Sequence, residues 1–268
     1  MIAPARLKET AWKVMRHAVT HDDLGCLQRL LPRALVPDQA TVDRILRELV
    51  DSPELLAAVD TRESRLFDGG PPEMGARERL DRRLGMDATG RGRALLLYVT
   101  ARLLKPDVVI ETGCFTGWDS AVLLQALDRN GCGHLYSIDI PGNTGVYDPL
   151  LPHGGLPPQL QPGFVVPDAF RARWTLTLGD TREELLPLLR TLPPVDIFLH
   201  DSDHSYAHMM WEYTTVLPHM RRGGLILSDD ISFNTAFWDF AQSLGQPWVV
   251  HSSNANVGAL RVPPGRRA

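Results

Sequence analysis

Short apolar segments alternate with helical segments from Asp107 towards the C-terminus. We predict strands at Asp107–Glu111, His134–Asp139, Trp174–Leu178, Val195–His200 and Leu225–Ser228. Helices are predicted at Gly90–Leu104, Trp118–Leu127, Arg182–Arg190, Tyr206–Leu217 and Phe233–Leu244. This order predicts an α/β fold with right-handed crossovers and a mostly parallel sheet. The last two strands, PWVVHSS and NVGALRV, are joined by a turn too short for a crossover, so they should be antiparallel.

The N-terminal part has a different pattern. VDRILRELV and DSPELLAAVD show apolar positions at helical spacing, so residues 1–84 are predicted to form a helical cap without strands. A Gly/Pro cluster at residues 67–75 predicts a hinge or surface loop. Residues 85–268 would form the α/β domain, and its Pro/Gly-rich loop at 141–168 predicts either a substrate lid or a passive surface insertion.

Composition excludes several classes of protein. The chain has 268 residues, 44% of them hydrophobic, and no apolar run approaches the roughly 20 residues that span a bilayer. Charges in the first residues do not fit a signal peptide, so we predict a cytoplasmic protein without membrane contact. A net charge of −4 argues against nucleic acid and favours a small-molecule partner. Three cysteines without CxxC spacing predict neither disulfides nor a cysteine zinc site.

Acidic residues follow two of the predicted strands. Val195–His200 leads into Asp201, Asp203 and His204, and the strand ending at Ser228 leads into Asp229-Asp230. In open parallel sheets, ligands bind in the crevice beyond the carboxyl ends of the strands. These side chains therefore lie where chemistry is expected, although Asp229-Asp230 could instead cap the next helix.

A glycine turn follows the first predicted strand, in the sequence ETGCFTG. Gly113 and Gly117 permit a sharp turn and close approach of a ligand to the backbone. The dinucleotide fingerprint GxGxxG is absent, as is a Gly-Lys-Ser/Thr phosphate loop. Glu111 would repel phosphate and suits a cationic ligand.

The next two strands also end in acids. Asp139 could accept both hydroxyls of a ribose or could be an ordinary turn residue. Gly179-Asp180 follows the third strand, where Asp180 could reach an adenine amino group or cap the helix that starts near Thr181.

Together ETGCFTG, SID, LGD, DSDHSY and RRGGLILSDDI resemble class I S-adenosylmethionine-dependent methyltransferases, over roughly Gly90 to Val262. Within this class they look most like the small-molecule branch of macrocin-type O-methyltransferases and cephalosporin hydroxylase-like proteins. The resemblance implies a Rossmann-like, seven-stranded, mostly parallel sheet with an antiparallel last strand and helices on both faces. It also implies donor-binding residues: Glu111, Gly113 and Gly117 beside the methionine, Asp139 beside the ribose, and Gly179 and Asp180 beside the adenine.

The resemblance further implies a metal site and a base. In metal-dependent members, acids at the positions of Asp201, Asp229 and Asp230 hold Mg²⁺, which favours hard oxygen ligands. Asp201 would then position both the metal and the substrate. His204 occupies the place of a general base. Ser202 stands where many relatives have glycine, and His204, His208 and Glu212 recur at the four-residue spacing of a helical zinc site as an alternative.

The sequence therefore predicts a methyltransferase that acts on a hydroxyl oxygen of a small natural-product metabolite, assisted by Mg²⁺. A metal-independent methyltransferase with His204 as base, an NAD-dependent oxidoreductase and a non-catalytic donor-binding domain remain alternatives. Association into a homo-oligomer through the cap is a further expectation.

Overall fold

A computed structural model describes residues 19–20, 22–66, 92–141, 156, 159–251 and 256–263. Within them, eight strands form one sheet in the order β1-β7-β8-β6-β5-β2-β3-β4. All neighbouring strands are parallel except β8, which is antiparallel to both β6 and β7. The strands are β1 Val19–Thr20, β2 Val108–Thr112, β3 His134–Asp139, β4 Trp174–Leu178, β5 Val195–His200, β6 Met220–Ser228, β7 Trp248–His251 and β8 Gly258–Arg261.

Four of the described α-helices lie between β1 and β2, and one follows each of β2, β4, β5 and β6. The helices are α1 Asp23–Leu30, α2 Gln39–Val50, α3 Pro53–Leu66, α4 (Gly92–Ala94, a π-helical segment Leu95–Val99, then Thr100–Leu104), α5 Trp118–Asn130, α6 Thr181–Thr191, α7 Tyr206–Val216 and α8 Ala236–Leu244. Helix α8 begins three residues later than predicted, because Asn234 Oδ1 accepts a hydrogen bond from the Ala236 amide at 2.8 Å and so starts the helix there.

The predicted seven-stranded sheet with its antiparallel last strand is confirmed. The prediction that the N-terminal part contains no strand is wrong, because Val19–Thr20 pairs in parallel with β7 and adds an eighth, edge strand. Two residues are too few to show strand periodicity. Strand β6 is also longer than predicted, since a shift of register against β5 between Val195 and Ile197 lets pairing begin at Met220.

Buried side chains form two hydrophobic clusters. The first joins the N-terminal helices to α4, α5 and the sheet, as in the packing of Leu46, Leu55, Leu97 and Leu123. The second surrounds α7, α8 and β6. The helices of residues 23–66 therefore share a core with the sheet. The predicted domain boundary at residue 84, the hinge at 67–75, and residues 142–155 and 157–158 of the predicted loop at 141–168 lie outside the described residues.

The carboxyl ends of the parallel strands are tied together by backbone hydrogen bonds that continue one residue beyond the strands. Gly113 N donates to Ile138 O at 2.8 Å, and Gly179 N donates to Asp139 O at 2.8 Å. On the other side, Asp201 N donates to Thr112 O at 2.8 Å and Asp229 N to His200 O at 2.9 Å. One edge of the sheet thus carries the glycine turn and the acids side by side.

The described helices include none that is long and apolar enough to cross a membrane. Cys26, Cys114 and Cys132 form no disulfide bond with one another.

A buried polar contact attaches the N-terminal helices to the core. Ser52 Oγ lies 2.7 Å from Gln125 Oε1 of α5, and both residues are almost fully buried. We expect Ser52→Ala to lower the free energy of unfolding by about 1–3 kcal/mol, because the Gln125 amide loses a buried partner. Urea denaturation measures this, with Ser243→Ala as control, since the Ser243 hydroxyl bonds Phe240 O on an exposed position. Equal losses in both variants would contradict the prediction.

Candidate active site

The glycine turn after β2 packs directly against the loop after β5. Gly113 has φ +77°, and a Cβ atom there would lie 2.0 Å from Asp201 O and 2.8 Å from Ser202 Cα. No side chain fits this gap, and few residues other than glycine adopt this φ. Gly113 therefore permits the two loops to meet at the point where the strand order reverses between β2 and β5.

The described end of the predicted lid loop covers the same turn. Gly163 N donates to Phe115 O at 2.8 Å, and Val165 N donates to Thr116 O at 3.0 Å. A Cβ atom on Gly117 would lie 2.6 Å from Gly163 Cα, so this contact also needs a glycine. Residues 163–165 are thus fixed on the turn by backbone hydrogen bonds.

Asp139 supports the glycine turn from β3. Its Oδ2 accepts hydrogen bonds from the amides of Cys114 at 2.8 Å and Phe115 at 2.6 Å. Burial raises the pKa of Asp139, against the opposing effect of these amides. Asp180 caps α6, since its Oδ1 accepts from Arg182 N at 2.8 Å. Capping is therefore established for Asp180, and a role at a ligand stays a prediction for both acids.

Glu111 lies beneath the turn rather than at its surface. It is fully buried, and its Oε2 accepts hydrogen bonds from Ser120 and Ser137, each at 2.6 Å. Its Oε1 is buried and has no hydrogen-bond partner in the described part of the chain. Burial raises the pKa of Glu111 to about 8, although the serine hydroxyls act in the opposite direction. Its predicted place beside a donor methionine stays a prediction.

Three carboxylates converge on the other side of the turn. Asp119, Asp201 and Asp229 each offer an oxygen within 4.8 Å of the others, and among the described residues they are the only such group of His, Cys, Asp or Glu. Asp119 lies in the first turn of α5, which follows Gly117 directly. Desolvation, followed by the charges of Asp229 and Asp119, raises the pKa of Asp201 well above its usual range.

A guanidinium lies within this acidic group. Arg93 Nε donates to Asp119 Oδ1 at 3.0 Å, and Nη2 donates to Asp119 Oδ2 and, at 2.8 Å, to Asp229 Oδ2. Burial alone would raise the pKa of Asp229. The charge and the hydrogen bond of Arg93 have the larger effect, so the pKa of Asp229 is lowered. Asp229 Oδ1 is buried and has no hydrogen-bond partner in the described residues.

Asp230 and His204 lie beside the acidic group. Asp230, the third predicted metal ligand, is outside the group and has φ +47°, an uncommon backbone conformation for a non-glycine residue. His204 Nε2 is 3.5 Å from Asp201 Oδ1 and 3.9 Å from Asp230 Oδ2. Burial, and then His200, lower the pKa of His204 to about 4, so its imidazole is neutral near pH 7.

The carboxylate of Glu212 is the centre of a buried hydrogen-bond network. Its Oε2 lies 2.6 Å from His200 Nδ1 and 2.7 Å from the Thr112 hydroxyl. Its Oε1 accepts from Ser202 Oγ at 2.7 Å and lies 3.0 Å from His208 Nε2. The hydrogen bonds from His200 and His208 outweigh burial and lower the pKa of Glu212. The zinc alternative is not supported, since the described residues bring no His204, His208 and Glu212 ligand group together.

Sequence reasoning missed Arg93 and Asp119. Both are separated in sequence from the acids that they meet, and their pairing depends on how α4 and α5 pack on the sheet. One signal was available for Arg93, because it precedes the apolar run ALLLYV, which is entirely buried. A charge at the edge of such a run requires a partner.

Comparison with known proteins agrees with this fold. Residues 110–231 match the family model described as a methyltransferase domain. A search of curated protein sequences gives no match. The structure is similar to the O-methyltransferase TomG from Streptomyces achromogenes, involved in tomaymycin synthesis and solved in complex with SAM, at 16% identity and a TM-score of 0.50 over 84% of this chain and 96% of that chain.

Two further solved structures are similar at lower scores. One is the SAH-bound methyltransferase PaMTH1 of Podospora anserina, at 15% identity and a TM-score of 0.49 over 84% of this chain and 97% of that chain. The other is an O-methyltransferase from Bacillus cereus in complex with SAH, at 12% identity and a TM-score of 0.48 over 85% of this chain and 93% of that chain.

The sheet order and the glycine turn define a class I, Rossmann-like methyltransferase fold. The match over residues 110–231 identifies a methyltransferase domain in this part of the chain. The resemblance found in the sequence is confirmed at this level. The narrower likeness to macrocin-type and cephalosporin hydroxylase-like proteins is not confirmed by these comparisons.

The contact between Gly113 and Asp201 can be tested by adding a methyl group. We expect Gly113→Ala to lower the free energy of unfolding by at least about 3 kcal/mol, because the Cβ atom meets backbone that cannot move aside. Gly131→Ala is the control: Gly131 has φ +70° but no atom within 4 Å of a Cβ, so only the backbone cost of about 1 kcal/mol applies. Equal losses in urea denaturation would show that the contact is unimportant.

Burial of Glu111 makes stability depend on pH. The pKa of Glu111 in the folded state, about 8, exceeds the ordinary 4.5. The contribution of the protonated Glu111 to the free energy of unfolding is therefore fully present below pH 4.5 and is lost as pH rises towards 8. Glu111→Gln cannot ionise. Between about pH 5 and pH 8, the free energy of unfolding of the variant should therefore rise relative to that of wild type by on the order of a few kcal/mol.

Urea denaturation of both proteins across this range measures the difference. Parallel pH dependence of wild type and Glu111→Gln would contradict the prediction.

Proposed function

We propose that this chain transfers a methyl group from S-adenosylmethionine to a hydroxyl oxygen of a small natural-product metabolite. The observation that carries the proposal is the packing of Gly113 against the backbone of Asp201 and Ser202. It brings the turn assigned to the donor beside the loop that carries His204. The similar structure of TomG, an O-methyltransferase in complex with SAM, is consistent with this donor and acceptor.

The donor would lie along the ends of β2, β3 and β4. Gly113 and Gly117 form the turn after β2, Asp139 ends β3, and Gly179 and Asp180 follow β4. Ile140 and Leu178 expose 42% and 44% of their surface there and offer apolar contacts for a flat base. Glu111 would act from below, through the turn that it supports.

S-adenosylmethionine, when bound, supplies an electrophilic methyl group on a sulfonium sulfur. The acceptor oxygen forms the new carbon–oxygen bond as the carbon–sulfur bond breaks, and the electron pair of that bond stays on sulfur. His204 Nε2 makes no hydrogen bond in the described residues and would take the hydroxyl proton. Asp201, whose Oδ1 lies 3.5 Å from Nε2, would orient the imidazole and the acceptor.

Predicted Mg²⁺ at Asp201, Asp229 and Asp230 fits the side chains only in part. Hard carboxylate oxygens are suitable ligands, and Asp201 and Asp229 are close together. Arg93, however, already bonds Asp229 and Asp119, so a metal ion could use this group only if the guanidinium moved. No step of the proposed transfer is therefore routed through a metal.

The alternative classes differ in what they would bind. An NAD-dependent oxidoreductase lacks support, because the match over residues 110–231 is to a methyltransferase domain. A non-catalytic donor-binding domain would bind the donor without turnover.

The proposal also includes a cytoplasmic location, a small-molecule partner without nucleic acid, and a homo-oligomer formed through the N-terminal helices.

Two measurements test the function. Calorimetry with S-adenosylmethionine and S-adenosylhomocysteine should show binding near one equivalent, and a panel of hydroxyl-bearing metabolites should yield S-adenosylhomocysteine. We expect His204→Ala to lower turnover by about 10²–10⁴-fold while donor binding persists, because the variant loses only the proton acceptor.

His134→Ala is the matched control. His134 lies at the start of β3, at the end of the strand away from Asp139 and the site, and its ring bonds the Thr175 hydroxyl. Absence of donor binding would refute the methyltransferase assignment. Undiminished turnover of His204→Ala would refute the role of His204 alone.

A further inference from the structure

Arg93 is a charged residue at the start of a buried helical segment. Its side chain is only 18% exposed, and Ala94 to Val99, which follow it, are almost fully buried. Withdrawing a guanidinium from water is unfavourable unless it is paired and hydrogen-bonded. The charge must therefore be compensated by its neighbours in the fold.

The neighbours of Arg93 come from two different elements. Asp119 at the start of α5 accepts from Nε and Nη2, and Asp229 at the end of β6 accepts from Nη2 at 2.8 Å. One guanidinium thus bridges the helix that follows the glycine turn and the loop that follows β6. Charge-assisted, forked hydrogen bonds of this kind fix both partners in direction as well as distance.

The same carboxylates are the ones that could hold a metal ion. Asp119, Asp201 and Asp229 form the one candidate group among the described residues, and two of its three members are bonded to Arg93. A divalent ion would need their oxygens in its own coordination shell and would lie close to the guanidinium. The two cations therefore compete for one position.

We propose that Arg93 takes the place of a divalent ion in this site. It permanently compensates part of the negative charge of the acidic group and holds Asp229 through Oδ2. Oδ1 of the same carboxylate is buried without a hydrogen-bond partner in the described residues, and it is left to accept a hydrogen bond from the acceptor hydroxyl. Arg93 is thus a positioning residue that acts through Asp229, and the protein needs no metal.

The role at the acceptor rests on the proposed methyl transfer, whereas the exclusion of metal does not. Binding of Mn²⁺, followed by the electron paramagnetic resonance signal of the free ion, tests the exclusion without any activity assay. Wild type should bind no Mn²⁺ at millimolar concentration. Arg93→Met, which removes the charge and keeps an apolar side chain, should bind about one equivalent, with a Kd ~10-fold or more below the millimolar concentration at which wild type shows no binding.

Arg102→Met is the matched control. Arg102 lies on the same helix, is 17% exposed and pairs with Glu48 at 3.0 Å, away from the acidic group. It should behave as wild type does. If Arg93→Met does not fold, Arg93→Gln replaces it as the test variant.

Tight stoichiometric binding of Mn²⁺ by wild type would overturn the proposal, and this measurement needs no variant. Failure of both Arg93 variants to bind Mn²⁺ would also overturn it, because Arg93 would then not occupy a metal position. Where turnover is found, it should be unchanged in EDTA for wild type and at least about 10-fold lower for Arg93→Met, with partial rescue by Mg²⁺. Loss of wild-type turnover in EDTA would refute the proposal that Arg93 takes the place of a divalent ion. Absence of any turnover would count against the methyltransferase proposal alone.

Discussion

The buried carboxylate of Glu212 is the interaction on which the site geometry depends most. It reaches from α7 to the ends of both β2 and β5 and to the loop between β5 and α7, through Thr112, His200 and Ser202. Strands β2 and β5 flank the point where the strand order reverses, and the cleft opens above them. Desolvation of one carboxylate is offset by four hydrogen-bonding partners. The two halves of the cleft are therefore fixed to each other from beneath.

Charge is distributed unevenly above this network. An acid ends β3, further acids follow β5 and β6, and Asp119 adds another from α5. The crowding is visible in the raised pKa of Asp201, which burial and the neighbouring acids produce together. An edge of this sign attracts a cationic ligand such as a sulfonium and repels phosphate. Arg93 limits the repulsion among the acids on one side, so the site keeps its negative character without forcing the carboxylates apart.

Local patterns in the sequence were sufficient to predict most of the sheet and the edge on which the site lies. Strand β3 ends in an acid, and a glycine or an acid comes directly after each of β2, β4, β5 and β6. Parallel strands bring these ends together, so the meeting of Gly113, Asp139 and Asp201 follows from strand order. Contacts that depend on packing between distant elements could not be predicted in this way. The pairing of Arg93 with Asp229 joins residues 136 positions apart, and no local periodicity encodes it. The two residues of β1 likewise carry no alternation, and they pair with β7 only once the rest of the sheet exists.

Ser202 illustrates how a departure from a family pattern can be explained physically. The resemblance found in the sequence implies a glycine at this position. Here the Ser202 hydroxyl donates to Glu212 at 2.7 Å, and its backbone packs against Gly113. The loop is thus held by a side-chain hydrogen bond from one side and by the glycine turn from the other. Because Asp201 and His204 flank Ser202 in this loop, the same bond restrains the acid and the proposed base, and the freedom of a glycine is not required.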